Sequence, residues 1–149
     1  MIEIRLQAEP FDPHLEVDRL HSGNPVIGGI VSFIGLMRDI NEGDTVGSMT
    51  LEHYPGMTEK ALHSIVEEAF QRWDLIGCRL VHRVGELQPA DAIVLVAVAS
   101  SHRTEAFRAC EFIIDYLKTR APFWKKEMTE KGARWVTARK TDSDAEQKW

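Results

Sequence analysis

Residues Ile93–Leu117 read IVLVAVASSHRTEAFRACEFIIDYL, and the spacing of the apolar residues changes halfway along. Ile93–Ala99 is an unbroken apolar run, the pattern of a central strand. Ser100 and Ser101 follow, residue types that cap helices because a side-chain oxygen can accept from a free backbone N–H. Ala106, Ala109, Cys110, Ile113, Ile114 and Leu117 then recur at helical spacing, which predicts a long helix with one apolar stripe. Pro122 cannot lie inside that helix without removing a hydrogen bond, so the chain bends near Ala121. Proline suits the first turn of a helix, so a short new helical turn is expected there.

Upstream, Met49–Tyr54 (MTLEHY) reads as a strand, and Pro55–Gly56 turns the chain. Ala61, Leu62, Ile65, Val66, Ala69, Phe70 and Trp73 mark a second long helix, with Thr58 as its expected cap. Cys78–Glu86 alternates as a strand and ends at the turn Pro89–Ala90–Asp91. At the N-terminus, Ile2, Ile4 and Leu6 predict a short strand. Leu15, Val17 and Leu20 predict a short helix that ends at Gly23–Asn24–Pro25. Val26–Met37 (VIGGIVSFIGLM) is apolar and glycine-bearing, and reads as a buried strand whose glycines permit close backbone approach. Asp39–Gly47 reads as a polar loop and the most mobile segment. Arg134–Ala138 reads as a last strand, and the tail from about residue 141 as polar and frayed apart from Trp149. Two long helices among strands without βαβ alternation give an α+β fold with a mainly antiparallel sheet, organised as one domain over residues 1–149.

Composition removes several function classes. A hydrophobic fraction of 44% supports a packed core and argues against intrinsic disorder. A net charge of −5 argues against nucleic-acid binding, although it leaves room for a small basic pocket. No apolar run approaches the ~20 residues a membrane helix requires, and the N-terminus does not read as a signal peptide, so a cytoplasmic protein is expected. Cys78 and Cys110 lie in strand and helix patterns and read as reduced core residues. The six histidines form no zinc-binding pattern, so no metal is expected.

The densest chemical signal is Asp115–Glu127, DYLKTRAPFWKKE. Lys118, Arg120, Lys125 and Lys126 interleave there with Tyr116, Phe123 and Trp124. A solvated charge run at a helix end is one reading. The other is chemical. A lysine held against apolar walls loses solvation, its pKa falls toward neutrality, and it becomes a proton donor, acceptor or nucleophile. The bend at Pro122 can fold Lys118 and Lys125 over one pocket. Ser100–Arg103 (SSHR) offers a second signal, since a helix N-terminus with an arginine can hold an anion; a plain cap with an exposed arginine reads equally well. Arg38, after the strand VSFIGLM, and Arg139 are ambiguous by position alone.

TLEHYPGMTEKAL (Thr50–Leu62), HRVGEL (His82–Leu87), SSHR and FIIDYLKTRAPFWKKE (Phe112–Glu127) resemble the large, catalytic subunit family of molybdopterin synthase. The likeness runs from about Gly28 to Arg139, and the APFWK core is its most specific part. It implies an α/β-hammerhead fold and a homodimer at the centre of a heterotetramer. Each copy would receive a small ubiquitin-like sulfur-carrier subunit whose C-terminal Gly-Gly tail ends in a thiocarboxylate. It implies a sulfurtransferase that converts cyclic pyranopterin monophosphate to molybdopterin by forming the dithiolene, with no cofactor. Lys118 and Lys125 match the family's active-site lysines. Arg38, His102 and Arg103 match its substrate-phosphate pocket, and Arg139 a position contributed across the dimer. The competing reading is a non-catalytic anion-binding scaffold for an acidic partner tail.

Overall fold

The computed structural model describes residues 1–136 and 140–149. In chain order the elements are β1 (Ile2–Gln7), α1 (Pro13–His21), β2 (Gly29–Leu36), β3 (Ile40–Asn41), β4 (Asp44–His53), α2 (Met57–Arg72), β5 (Gly77–Arg83), β6 (Gly85–Leu87), β7 (Ala92–Ser100), α3 (Arg103–Arg120), β8 (Phe123–Thr129), β9 (Gly132–Val136) and α4 (Lys140–Glu146). The first sheet has four strands in the order β1-β5-β7-β2, antiparallel except for the parallel pair β1–β5. The second has five, in the order β3-β4-β8-β9 with β6 also paired to β4. This is the mainly antiparallel α+β architecture expected.

β7 is apolar throughout because both its faces are covered. Val94, Val96 and Val98 face the core that α2 and α3 build with Leu62, Val66, Phe112 and Ile113. Leu95, Ala97 and Ala99 face α1 through Leu20. A third cluster, Met37, Val46, Met49, Leu51 and Leu87, lies beneath the second sheet.

Six local expectations need correction. Val26–Met37 does form a strand, but β2 is an edge with β7 as its partner, so Phe33 and Leu36 are exposed. Its neighbour Gly28 does serve close approach: a Cβ there would stand 2.0 Å from the Ser101 carbonyl oxygen. Asp39–Gly47 is no loop. Glu42 and Gly43, at φ 52 and 81, form the two-residue turn of a hairpin between β3 and β4. The Arg134 guanidinium ties that hairpin down, donating to Asp44 at 2.7 Å and to the Asn41 carbonyl at 3.0 Å.

The helix caps lie elsewhere than expected. Gly56 is the N-cap of α2, and Thr58 sits one step inside it. His102 is the N-cap of α3, and Ser100 serves it only by accepting from the His102 N–H at 3.4 Å. After Pro122 no helical turn begins: β8 starts at Phe123, because β4 offers an open edge for pairing. The tail forms α4 and docks. Trp149 packs edge-on against Trp73 and Phe112, and its indole N–H donates to Asp115 at 2.7 Å. The last expected strand ends at Val136 in β9; its continuation to Ala138 lies outside the described residues.

Candidate active site at the turn between α3 and β8

α3 ends at Arg120, and Ala121 is extended at φ −84, ψ 130. The Phe123 N–H donates to the Ala121 carbonyl at 2.9 Å, closing a three-residue turn around Pro122. β8 then pairs antiparallel with β4, placing Lys125 opposite Leu51 and Phe123 opposite His53. The turn brings Lys118, exposed in the last turn of α3, to Lys125, half-buried on β8. Burial pushes the Lys125 ammonium from 10.5 down to about 8, and the neighbouring Lys118 cation pushes the same way; Asp142 and Glu127 oppose them weakly. An amine in that range can give up or hold a proton near neutral pH.

The other two cations of the run point elsewhere. Arg120 lies 3.8 Å over the Tyr116 ring and donates to Glu146 at 2.6 Å. Lys126 emerges on the opposite face of β8, 5.7 Å from the exposed Trp135 ring. The charge run therefore divides: one pair converges, and the rest is surface.

Two histidines escaped sequence reasoning. His82 on β5 is buried and stacks on Phe123, with ring centroids 4.2 Å apart and planes 16° apart. Its Nδ1 lies 2.7 Å from the Arg83 carbonyl, which can only accept, so Nδ1 carries the proton. Burial drives His82 down to about 4; the Arg83 bond opposes this, while Lys118, Lys125 and His53 lower it further. The imidazole is neutral at pH 7 and forms an uncharged wall beside two ammonium groups. His53, opposite Phe123 on β4, faces the same side. No pattern in the sequence marks His82: β5 is buried at every position, which only the fold reveals. Cys78 and Cys110 are both buried, and burial pushes both thiols up to about 12, which leaves them unreactive.

The expected phosphate group is not gathered within one chain. Arg38 is exposed just past the end of β2, beside the β6–β7 connection, where the Met37 N–H donates to the Asp91 carbonyl. That is the end of the sheet at which α3 finishes. His102 and Arg103 sit at the start of α3, with Gly28, Ser101, Thr104 and Glu105 around an open depression. At about 1.5 Å per residue, they stand roughly 22 Å along the helix from Lys118. Arg139 lies outside the described residues.

Fold and site define an α+β enzyme domain that sets two lysine amines together in a partly desolvated recess. The chain belongs to the MoaE protein family, whose model matches residues 6–120. The molybdopterin synthase catalytic subunit of Ralstonia nicotianae is 62% identical over 149 residues, covering 100% of this chain and 85% of that one. The molybdopterin synthase catalytic subunit of Pseudomonas aeruginosa is 56% identical over 146 residues, covering 98% of this chain and 97% of that one. Among solved structures, the molybdopterin biosynthesis MoaE protein from Burkholderia ambifaria matches with a TM-score of 0.85 at 54% identity, covering 100% of this chain and 98% of that one.

Proposed function

We propose that this chain, as one folded unit in the cytoplasm, is the catalytic subunit of molybdopterin synthase. It would convert cyclic pyranopterin monophosphate to molybdopterin, moving sulfur from the thiocarboxylated C-terminus of a small ubiquitin-like subunit to form the dithiolene. The observation that carries this reading is the convergence of Lys118 and Lys125 at the Pro122 turn, with Lys125 brought down to about 8. The exposed Lys118 amine receives the partner's tail by pairing with its terminal thiocarboxylate. The half-buried Lys125 supplies the proton and stabilises the negative charge that develops. Catalytic-subunit relatives at 62% and 56% identity support the same reaction.

Arg38 stands at the lysine end and belongs to that pocket. His102 and Arg103 are too far away to serve it from the same chain, so they serve the pocket of a second copy in a homodimer. The exposed apolar residues Phe33 and Leu36 on edge strand β2, and Phe107 on α3, give a surface on which two copies can join. Arg139 is assigned to the same shared pocket on the resemblance alone. No helix among the described residues is long and apolar enough to cross a membrane.

The test mixes the purified chain with thiocarboxylated small subunit and cyclic pyranopterin monophosphate, and follows the dithiolene pterin. Product from the native chain and none from Lys118→Ala is expected. An inert native chain that still binds the small subunit would overturn the assignment in favour of a scaffold.

A further inference from the structure

The turn that brings the lysines together is centred on a residue with no N–H to anchor it. Its internal bond, from the Phe123 N–H to the Ala121 carbonyl, fixes the shape of the turn but not its place in the molecule. The tie to the rest of the fold is a side chain. The Thr58 hydroxyl donates to the Pro122 carbonyl at 3.0 Å and accepts from the Tyr54 N–H at 2.9 Å. A carbonyl only accepts and an amide N–H only donates, so both directions are fixed and the hydroxyl is satisfied on each side. Thr58 is 0% exposed, where such bonds hold tightly and water cannot replace them.

This hydroxyl is not needed to cap α2. Gly56 is the cap, and its N–H already donates to the Glu59 carboxylate at 2.5 Å. The Thr58 backbone N–H is also occupied, donating to the Tyr54 carbonyl at 2.9 Å. What the side chain adds is a bond reaching 64 residues along the chain. That bond joins the end of β4 and the first turn of α2 to the turn between the two lysines.

We propose that Thr58 is a positioning residue whose hydroxyl, by holding the Pro122 carbonyl, sets the separation of Lys118 and Lys125. The proposal rests on the lysine pair being the reactive centre, but its test reads the amines and not the product. A native chain that makes no product while its amines behave as below would sink the functional reading and leave this one standing.

Without the tie the turn loosens, Lys118 moves away and water reaches Lys125. The groups around Lys125 are Lys118 from α3, Asp142 from α4 and Glu127 on its own strand, with His82 from β5 and His53 from β4 on the same side. Burial and Lys118 are the two strongest influences, and both relax in the same direction.

The experiment measures the rate at which acetic anhydride acetylates Lys125 as a function of pH, by peptide mass spectrometry on the full folded chain. The native midpoint is expected near 8. Thr58→Val, which keeps the shape and removes the hydroxyl, raises it by about one pH unit. Thr58→Ser restores the native midpoint, and Thr58→Ala does not. A general loss of packing lowers the melting temperature of all three without separating serine from alanine. A folded Thr58→Val protein with an unmoved midpoint would overturn the proposal. If the valine variant does not fold, identical midpoints for serine and alanine would overturn it as well.

Discussion

Replacing Lys125 with methionine should make the protein more stable while removing its activity. Methionine is unbranched, only one heavy atom shorter than lysine, and has no charge to desolvate. In the folded chain the Lys125 ammonium titrates at about 8, against 10.5 when solvated. At about 1.36 kcal/mol per pH unit, this corresponds to a folded-state penalty of at most about 3.4 kcal/mol. The amine is only half-buried, and discounting for the water that reaches it leaves roughly 1–2 kcal/mol. The sign follows from proton binding. The unfolded chain holds this proton more tightly, so the penalty is complete below pH 8 and disappears as pH rises to 10.5. Urea unfolding, followed by the fluorescence of the four tryptophans, should show Lys125→Met more stable at pH 7. The melting temperature should rise by about 2–8 °C. The advantage should close by pH 10.5, with other titrating groups cancelling between the two proteins. Turnover should fall by at least about 100-fold, as expected for loss of a positioned proton donor. A variant no more stable than the native protein at pH 7 would refute the reasoning. So would one whose advantage is the same at both pH values, since charge desolvation would not be its source.

Lys118→Arg should fold normally, because the side chain is exposed, but give no product; retained product would favour the scaffold reading, in which charge alone suffices. Arg103→Ala should weaken pyranopterin binding in calorimetric titrations and leave small-subunit binding within about twofold, whereas equal losses would end its assignment to the phosphate. Removing Trp149 deletes its packing on Trp73 and Phe112 and its bond to Asp115. The melting temperature should then fall by about 4–8 °C, corresponding to about 2 kcal/mol. Burial alone would raise the Glu16 carboxyl, but hydrogen bonds from Arg79 and Arg5 outweigh it and hold its pKa below 4.5. Stability from this group is therefore present above pH 4.5 and lost as pH falls through the lowered folded value. Glu16→Gln should remove that acid dependence in pH-resolved unfolding, and cost about 2 kcal/mol at neutral pH by taking one carboxylate from the buried Arg79, which keeps its bond to Glu3.

What was legible in the sequence was periodic. The apolar run of β7 and the stripes of α2 and α3 record their own burial, and the lysine run named both amines that converge. What was not legible depended on partners distant in sequence. Strand β2 is as apolar as a buried strand, but an edge differs from a centre only in what pairs beside it. The hairpin at Asp39–Gly47 reads as a loop because its support, Arg134, lies about 90 residues away. His82 enters the site by stacking on Phe123, and no pattern within either strand announces that contact. Thr58 occupies a position where a cap is the usual role, and its bond to Pro122 follows only once α3 has folded back. The separation of His102 and Arg103 from Lys118 was implicit in the helix length, because one straight helix cannot bring both its ends to one ligand.

Burial lowers the Lys125 pKa, and the carboxylate of Glu127 opposes it only weakly because it is engaged elsewhere. Glu127 lies two residues along β8 on the same inner face, where a free carboxylate would pair with the ammonium and restore its affinity for a proton. The structure commits it elsewhere. The Asn41 amide donates to both carboxylate oxygens, at 3.2 and 3.0 Å, and the Arg134 guanidinium donates at 3.1 Å. Arg134 divides itself between Glu127 and Asp44, so the ties that hold the β3–β4 hairpin also engage the carboxylate on the lysine's own strand. Asp142 opposes the shift somewhat more than Glu127 does, and both act only through space. The recess thus retains two close ammonium groups with incomplete compensation. That arrangement opposes folding and favours an anionic tail that brings the missing charge with it. On the proposed function, a thiocarboxylate arriving there would complete an ion pair that the folded chain leaves open.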